Sequence, residues 1–481
     1  METVDDSLLS TPTHRDSQNP KFLTRQSTTY NSYDEDFRVK ERTYTQQYAG
    51  LYFSRLVILR KRVLNAAIAR WGTGESRFLS RIQSFPETNA RSEAPTPHVP
   101  RVLDVQTAEV CFVVGTVYVD MPLKPNILDE VTAEHWIVAP PPREKYTSEN
   151  DEVVLEDESG RLKLTGKVLR NHILVTGVIA AFLGVESNSG EFEVIDVCYA
   201  SWDPQPPIPT TADDKYVAFV SGLSVGEDSA FDLRLQLLVD FLAGELGGSE
   251  DQSVNSKFAR VVFAGNSVAK LKPLEDDKKG GGSKNKYGTE SISYNTEPLQ
   301  LLDTLLASTS SSVDIDVMPG DTDPANCSLP QQPIHFAILP NASRHSSVNH
   351  CTNPHSFEAD GVRFLGTSGQ TLDDIYRFVE TDDRLEMAQR TVKWAHLAPT
   401  APDTLYCYPY KDTDPFVIKH LPHVYFVGNQ PAFETSMTKV SGGQTRVILV
   451  PSFATTGCIA LLNLRTLECM PVYFKNLPNL D

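Results

Sequence analysis

The stretch Val313–Asn326, VDIDVMPGDTDPAN, is an alternating apolar run (Val313, Ile315, Val317) that stops in a Pro-Gly turn and leaves Asp321 and Asp323 just beyond the last strand residue. Ligands of open α/β sheets collect outside the carboxyl ends of the strands, so this turn is where a site would stand. Four other stretches repeat the design: Tyr216–Val220 runs into Ser221-Gly222-Leu223-Ser224, and Val261–Phe263 into Ala264-Gly265-Asn266-Ser267. Val362–Leu365 runs into Gly366-Thr367-Ser368-Gly369, and Val424–Val427 into Gly428-Asn429-Gln430-Pro431. Each is a short buried-strand signal closed by a glycine turn. Gathered on one edge, the five turns would present Ser221, Ser224, Asn266, Asp321, Asp323, Ser368 and Asn429. A two-metal phosphoesterase needs several carboxylates and imidazoles there, because each ion must be held while one activates a water. This set has two carboxylates and no histidine. Asp321 and Asp323 therefore read either as ligands of a hard cation or as carboxylates that cap the following turn by accepting backbone N–H bonds, and the second reading is favoured.

Working outward, 481 residues allow two or three domains. A formal net charge of -18 counts against a large phosphate-binding surface, which takes clustered Lys and Arg. Seven cysteines, widely spaced and without a C-x-x-C pair, read as free buried thiols of a reducing compartment. No apolar run approaches a membrane span and the N-terminus is polar and acidic, which predicts a cytosolic or nuclear protein with no membrane contact.

The chain is expected to divide into a disordered tail (1–35), a helical segment (36–83), an antiparallel barrel of the OB type (84–203) and a sheet domain (210–481) with a flexible insertion near 270–294. In the helical segment Tyr48, Tyr52, Leu56, Leu59, Val63 and Ala66 recur at three- and four-residue steps, closed by Trp71-Gly72. Arg55, Arg60, Lys61, Arg62 and Arg70 decorate it, as a solvated face or as a phosphate- or partner-binding one. Strand signals at 110–119, 153–156, 162–164, 174–185 and 191–199 build the barrel, with a weaker helix signal at Asn126–Ile137. Its loops carry Glu149, Asp151, Glu152, Glu156, Asp157 and Glu158, which suit a protein-docking platform better than a single-strand reader. Beyond the Asp203–Pro209 linker a βα rhythm begins, with helix stripes over Phe231–Leu246 and Leu299–Leu306. A Thr371/Asp374 capping box would open a further helical region that extends through Leu385, Ala388 and Val392.

Most familiar chemistry is excluded. His335, His345, His350 and His355 with Cys327 and Cys351 match no tight zinc spacing. Ser368 lies in G-T-S-G and not in a nucleophile elbow, and both glycine-rich nucleotide cradles are absent.

Longer strings are more particular: IDVMPGDTDPA (315–325), LPQQP (329–333), DGVRFLGTSGQ (360–370), HLAPTAPDTLYCYPY (396–410), PHVYFVGNQPAF (422–433), YAGLYFSRL (48–56), VVGTVYVDMPLKP (113–125) and LEDESGRLKL (155–164). Over about residues 40–475 these resemble the B-subunit family of eukaryotic replicative DNA polymerases, and within it the non-catalytic subunits of the delta type. The resemblance implies a mixed α+β chain, an OB barrel joined to a calcineurin-like phosphoesterase domain with stacked sheets flanked by helices, the latter inactive in eukaryotic members. The active pattern is D-x-H, G-D-x-x-D, G-N-H-D/E and G-H-x-H on successive strand ends. Its first Asp and His fall here on Ser221 and Leu223, and the Asp of the second motif on Asn266. The third motif falls on Asp321-Thr322-Asp323 and the last two histidines on Asn429 and Pro431. Every metal-binding histidine is absent, so neither catalysis, nor a cofactor, nor a bound metal is expected. The implied role is a nuclear scaffold for DNA replication and repair. It would join the C-terminal metal-binding domain of the polymerase delta catalytic subunit to a clamp-linking accessory subunit and touch DNA only indirectly; a polymerase zeta catalytic subunit is a further implied partner. The rival expectation is a residual metal-dependent phosphodiesterase or nuclease using Asp321, Asp323 and Asn266.

Overall fold

The structure is a computed structural model, described over residues 23–40, 42–72, 96–125, 143–209, 213–227, 233–246, 249–271 and 294–474. Alternation of apolar and polar residues folds the first half into five strands: β2 (Val110–Asp120), β3 (Glu152–Glu156), β4 (Arg161–Thr165), β5 (Ile179–Glu186) and β6 (Phe192–Cys198). They close in the order β2-β3-β4-β6-β5, every pair antiparallel except β4 with β6. The outside of β2 and β5 is covered by α1 (Ala49–Trp71), which is why both strands are buried along nearly their whole length. α1 turns Leu51, Leu56, Leu59, Val63, Ala67 and Trp71 inward, and the Trp71 ring meets Phe112 at 5.4 Å between centroids.

The second half stacks two six-stranded sheets. One runs β1 (Tyr30–Ser32), β11 (His355–Ala359), β12 (Val362–Thr367), β13 (Val424–Gln430), β15 (Gly443–Pro451), β14 (Glu434–Val440). The other runs β10 (Val348–His350), β9 (Asp314–Met318), β8 (Phe258–Ala264), β7 (Tyr216–Val220), β16 (Cys458–Asn463), β17 (Cys469–Tyr473). The inner faces meet through Phe219, Val262, Phe357, Phe364, Phe426 and Ile448. Helices α2 (Leu233–Ala243) and α4 (Glu297–Ser310) cover the outer face of the second sheet, with the short α3 (Ser249–Asn255) beside α2. α5 (Gln370–Arg377) and α6 (Arg384–Trp394) cover the first, and the one-turn α7 (Phe453–Thr456) precedes β16. Central parallel strands lie between apolar faces on both sides, so β8 is buried at all seven residues and reads as a continuous apolar run. The apolar cluster under α5 and α6 is continuous with that of the barrel and α1.

Three expectations are corrected. The tail does not stay free to residue 35: the Arg25 guanidinium donates to the carbonyls of Phe258, Leu242 and Ala243, β1 pairs with β11, and Asp34 is buried. Main-chain edge bonds, a few polar side chains and the Tyr30 ring, 5.7 Å from that of Phe357 and beneath the Arg260 guanidinium, hold this strap. The region from Thr371 to Val392 is two helices. Gly369 in a left-handed conformation precedes α5 without a side-chain cap, and Asp383 caps α6 by accepting the Glu386 N–H at 2.7 Å. Thr371 and Asp374 face inward instead, Asp374 accepting the Thr404 hydroxyl. Strand β5 starts at Ile179 because the preceding residues turn at Gly177, whose φ is +90°. The Asn126–Ile137 helix, nearly all of the 270–294 insertion and most of the loop before residue 100 lie outside the described residues.

Candidate strand-end site

All five glycine turns converge. The Gly222 N–H donates to the Gly265 carbonyl at 2.9 Å and the Ser224 N–H to that of Asn266 at 3.1 Å. The Asn429 N–H donates to Ser221 Oγ at 2.9 Å, and its side-chain amide reaches the Ser368 carbonyl at 2.7 Å. The contacts are backbone-close. A Cβ on Gly265 would stand 2.5 Å from that of Ser368, and one on Gly428 2.5 Å from the Ala264 oxygen. Asn266 and Asn429 sit at φ +53° and +55°, a region asparagine tolerates better than most residues.

Asp321 and Asp323 differ sharply. Asp323 is buried and its two oxygens accept the Val268 N–H at 2.9 Å and the Gly320 N–H at 2.8 Å, so it does accept backbone N–H bonds but ties the start of its own turn to the turn after β8 instead of capping the turn that follows it. Burial pushes its carboxyl up to about 6, against the pull of those N–H groups. Asp321 is exposed. Between them Thr322 donates its hydroxyl to the Val268 carbonyl at 2.6 Å and its N–H to Asn266 Oδ1 at 3.3 Å. Leu223 lies in the apolar cluster under α2, and Pro431 is exposed. Ser368 is tied to Asn353, whose amide also reaches Gln331; Gln331 in turn donates to the Gly320 carbonyl at 2.9 Å. Asn353 and Gln331 are not among the residues singled out by the sequence, because neither ends a strand. Among the described residues no histidine bonds into this network, which is a cross-braced plug of amides, hydroxyls and peptide groups.

The histidines stand elsewhere. His350 meets Ser343 at 2.9 Å, and His335 accepts the Ala337 N–H. His355 lies between Asp34, 2.7 Å from Nδ1, and Asp316, 3.6 Å from Nε2, all three buried. Burial works to lower the pKa of His355, and neighbouring Cys351, Asp34 and Asp316 outweigh it and raise it well above the ordinary value. Asp34, Cys351 and His355 bring ligand-type atoms within 4.8 Å of one another. The Asp34 oxygens already accept from Ser356 and Thr352 N–H groups, and burial pushes the Cys351 thiol up to about 12. His355 with Asp34 and Asp316 is an internal ion-pair centre locking the strap, and Cys351 stands beside it as a neutral thiol.

The basic residues of α1 do not form one face: Lys61 and Arg70 are exposed, Arg55 is buried, and four of the five are engaged by groups of this chain. Arg55 is fully buried, with Nε 2.8 Å from Asp414 and the fork donating to the carbonyls of Gly177, Pro399 and Ala401. Arg60 makes a two-pronged pair with Glu158, Arg62 lies over the Trp202 ring, and Arg70 pairs with Asp196. Of the five, Lys61 alone points to solvent without a partner among the described residues.

Residues 47–197 match the model for the DNA polymerase delta subunit OB-fold domain, and residues 217–435 that for the B subunit of DNA polymerase alpha/epsilon. The chain is 40% identical to the DNA polymerase delta small subunit of Arabidopsis thaliana, over 95% of this chain and 97% of that one. It is 37% identical to the small subunit of Saccharomyces cerevisiae, over 90% of each, and 34% identical to the DNA polymerase delta subunit 2 of Drosophila melanogaster, over 94% of this chain and 98% of that one. The chain belongs to the DNA polymerase delta small-subunit family. The two family models divide it as the fold does: α1 and the barrel fall in the OB-fold match, and the sandwich from β7 through the start of β14 in the alpha/epsilon match.

Proposed function

We propose that the chain is a non-catalytic, nuclear scaffold subunit of a DNA polymerase delta assembly acting in replication and repair. It bridges the C-terminal metal-binding domain of the catalytic subunit and an accessory subunit that links the complex to the sliding clamp. A polymerase zeta catalytic subunit is a second partner of the same kind. One observation carries the reading: none of the strand-end positions Ser221, Leu223, Asn266, Asp321, Thr322, Asp323, Asn429 and Pro431, which we take as the remains of a phosphoesterase centre, is a histidine. Their side chains are spent on bonds to each other's turns, on the apolar core or on solvent. A rigid strand-end plug keeps the sandwich in one shape and leaves its outer surfaces for docking, and permanent assemblies of this kind bury upwards of roughly 2,000 Å².

Co-expression with the catalytic subunit's C-terminal region tests it. One co-eluting complex is expected, and two separate, individually soluble species would overturn the reading. The rival hydrolase has one observation in its favour, the exposed Asp321 two residues from a carboxyl that titrates near 6. A manganese-supplemented phosphodiesterase assay on the purified chain is expected to show no turnover that depends on Asp321 or Asp323, and turnover lost in Asp321→Ala or Asp323→Ala would establish the rival.

A further inference from the structure

β14 ends the first sheet: it pairs with β15 and, among the described residues, with no strand on its other side. A seven-residue edge is a template for an added strand, since its outward N–H and C=O groups lack ladder partners. Its C-terminal end runs into a crevice of about 510 Å³ between α1, the end of β6 and α6. Its lining includes the apolar Ala66, Tyr199, Ala200, Trp202 and Val440 together with Lys393 and Lys439. Arg70, which also lines it, is engaged by Asp196 at 2.9 Å, whereas neither lysine has a carboxylate within ion-pair distance among the described residues. Burial first, and Arg390 second, hold the Lys393 ammonium below the ordinary lysine range against the opposing pull of the Glu386 carboxylate, which is not within ion-pair distance.

Two such cations on a chain of formal net charge -18 mark a local exception to its field. A nucleic-acid strand is a poor occupant, because its affinity comes from neutralising many phosphates along a track and only two unpaired cations stand here. An extended peptide fits better: the strand edge supplies main-chain hydrogen bonds, alternate side chains point to one face, and an aliphatic one can fill the crevice between two carboxylates. We propose that the β14 edge and the adjoining crevice form a docking site for an extended acidic segment of a partner protein, added as a seventh strand with its carboxylates at Lys393 and Lys439. This rests on the scaffold reading only in taking the occupant to be a protein.

The test is fluorescence anisotropy of the full chain with a fluorescein-labelled peptide centred on Glu-Thr-Leu-Thr-Glu, which places the leucine and both carboxylates on one face of the added strand. The same peptide with Lys for Glu and a labelled oligothymidylate are the comparators. The acidic peptide is expected to bind more tightly than either, to weaken as salt rises, and to lose on the order of tenfold or more in affinity in Lys393→Glu/Lys439→Glu. Lys393→Gln/Lys439→Gln is expected to show a smaller loss and carries the test if the reversed pair does not melt like the parent. Equal affinity across the variants, stronger binding of either comparator, or saturation of the edge by self-association of the chain in sedimentation would each overturn the proposal. Running the co-expression assay on the same variants separates the two readings: continued co-elution with no acidic-peptide binding sinks this inference and leaves the scaffold standing.

Discussion

Asp321 and Asp323 share one turn and have opposite surroundings, which makes them a matched pair for mutation. Asp321→Ala removes a solvated carboxylate and is expected to change stability by no more than about 0.5 kcal/mol. Asp323→Ala orphans the Val268 and Gly320 N–H groups at about 1–3 kcal/mol each, partly offset by removing a charge that burial already disfavours. A net loss of about 1–2 kcal/mol is expected in denaturant unfolding; equal effects at the two positions would contradict the role of Asp323 as the acceptor that ties the two turns together. His396 sets a pH response. Burial first, then Arg55, hold its imidazole at about 4 against the pull of Asp414, so the neutral ring donates Nε2–H to Asp414 at 2.8 Å and accepts the Ala398 N–H at Nδ1. An unfolded histidine titrates near about 6.5, so the stability tied to the neutral form is complete above that and is lost as pH falls toward 4. Asp414 is held low despite burial by His396 and Arg55, and its share is lost only at still lower pH. The thermal midpoint is expected to drop between pH 6.5 and 4.5 and to drop less steeply in His396→Gln. Parallel slopes would show that His396 is not the group responsible.

Among the elements, the barrel strands and the glycine-closed strands were legible because their signals are local: period-two alternation, continuous apolar runs and turn residues. The strap was not. Residues 23–36 are held by edge hydrogen bonds, by the Arg25 guanidinium, by the Tyr30 ring and by one carboxylate whose partners lie more than three hundred residues away, and no hydrophobic period records any of these. Arg55 did leave a trace: Leu51, Arg55, Leu59, Val63, Ala67 and Trp71 are spaced by four, so the arginine stands within the buried stripe, and grouping it with the other cations as one face hides that. The strand-end positions were legible as turns, while Asn353 and Gln331, which brace them, belong to loops with no periodic signal. The strap makes a prediction of its own. Asp34→Ala removes a buried partner of His355 and is expected to cost about 3–5 kcal/mol near pH 6. Because the folded pKa of His355 is raised, its contribution is whole below about 6.5 and fades as pH rises through the folded value. The gap between parent and variant should therefore narrow at pH 9, and a gap that widens would refute the ion-pair account.

At the scale of the molecule, one side chain joins three bodies. Arg55 leaves α1 and reaches the barrel at the Gly177 carbonyl, then the sandwich domain at the carbonyls of Pro399 and Ala401 and at Asp414. The backbones are so close there that a Cβ on Gly177 would fall 1.9 Å from the Pro399 oxygen. With a continuous apolar cluster under the same junction, the barrel and the sandwich should unfold together in a single transition. Arg55→Leu strands Asp414 in the interior beside a neutral His396, at a cost of about 3–5 kcal/mol. Arg55→Lys should recover little, because an ammonium cannot span a carboxylate and three carbonyls as the planar fork does. The expected result in far-UV circular dichroism is an early, split transition for both variants, with proteolysis between the two halves near the 203–209 linker. A variant that melts once, within 1 °C of the parent, would show that apolar packing alone holds the halves in register. Under the scaffold reading the same variants should also lose partner co-elution in proportion to the split, since a surface shared by both halves exists only while their relative placement is fixed.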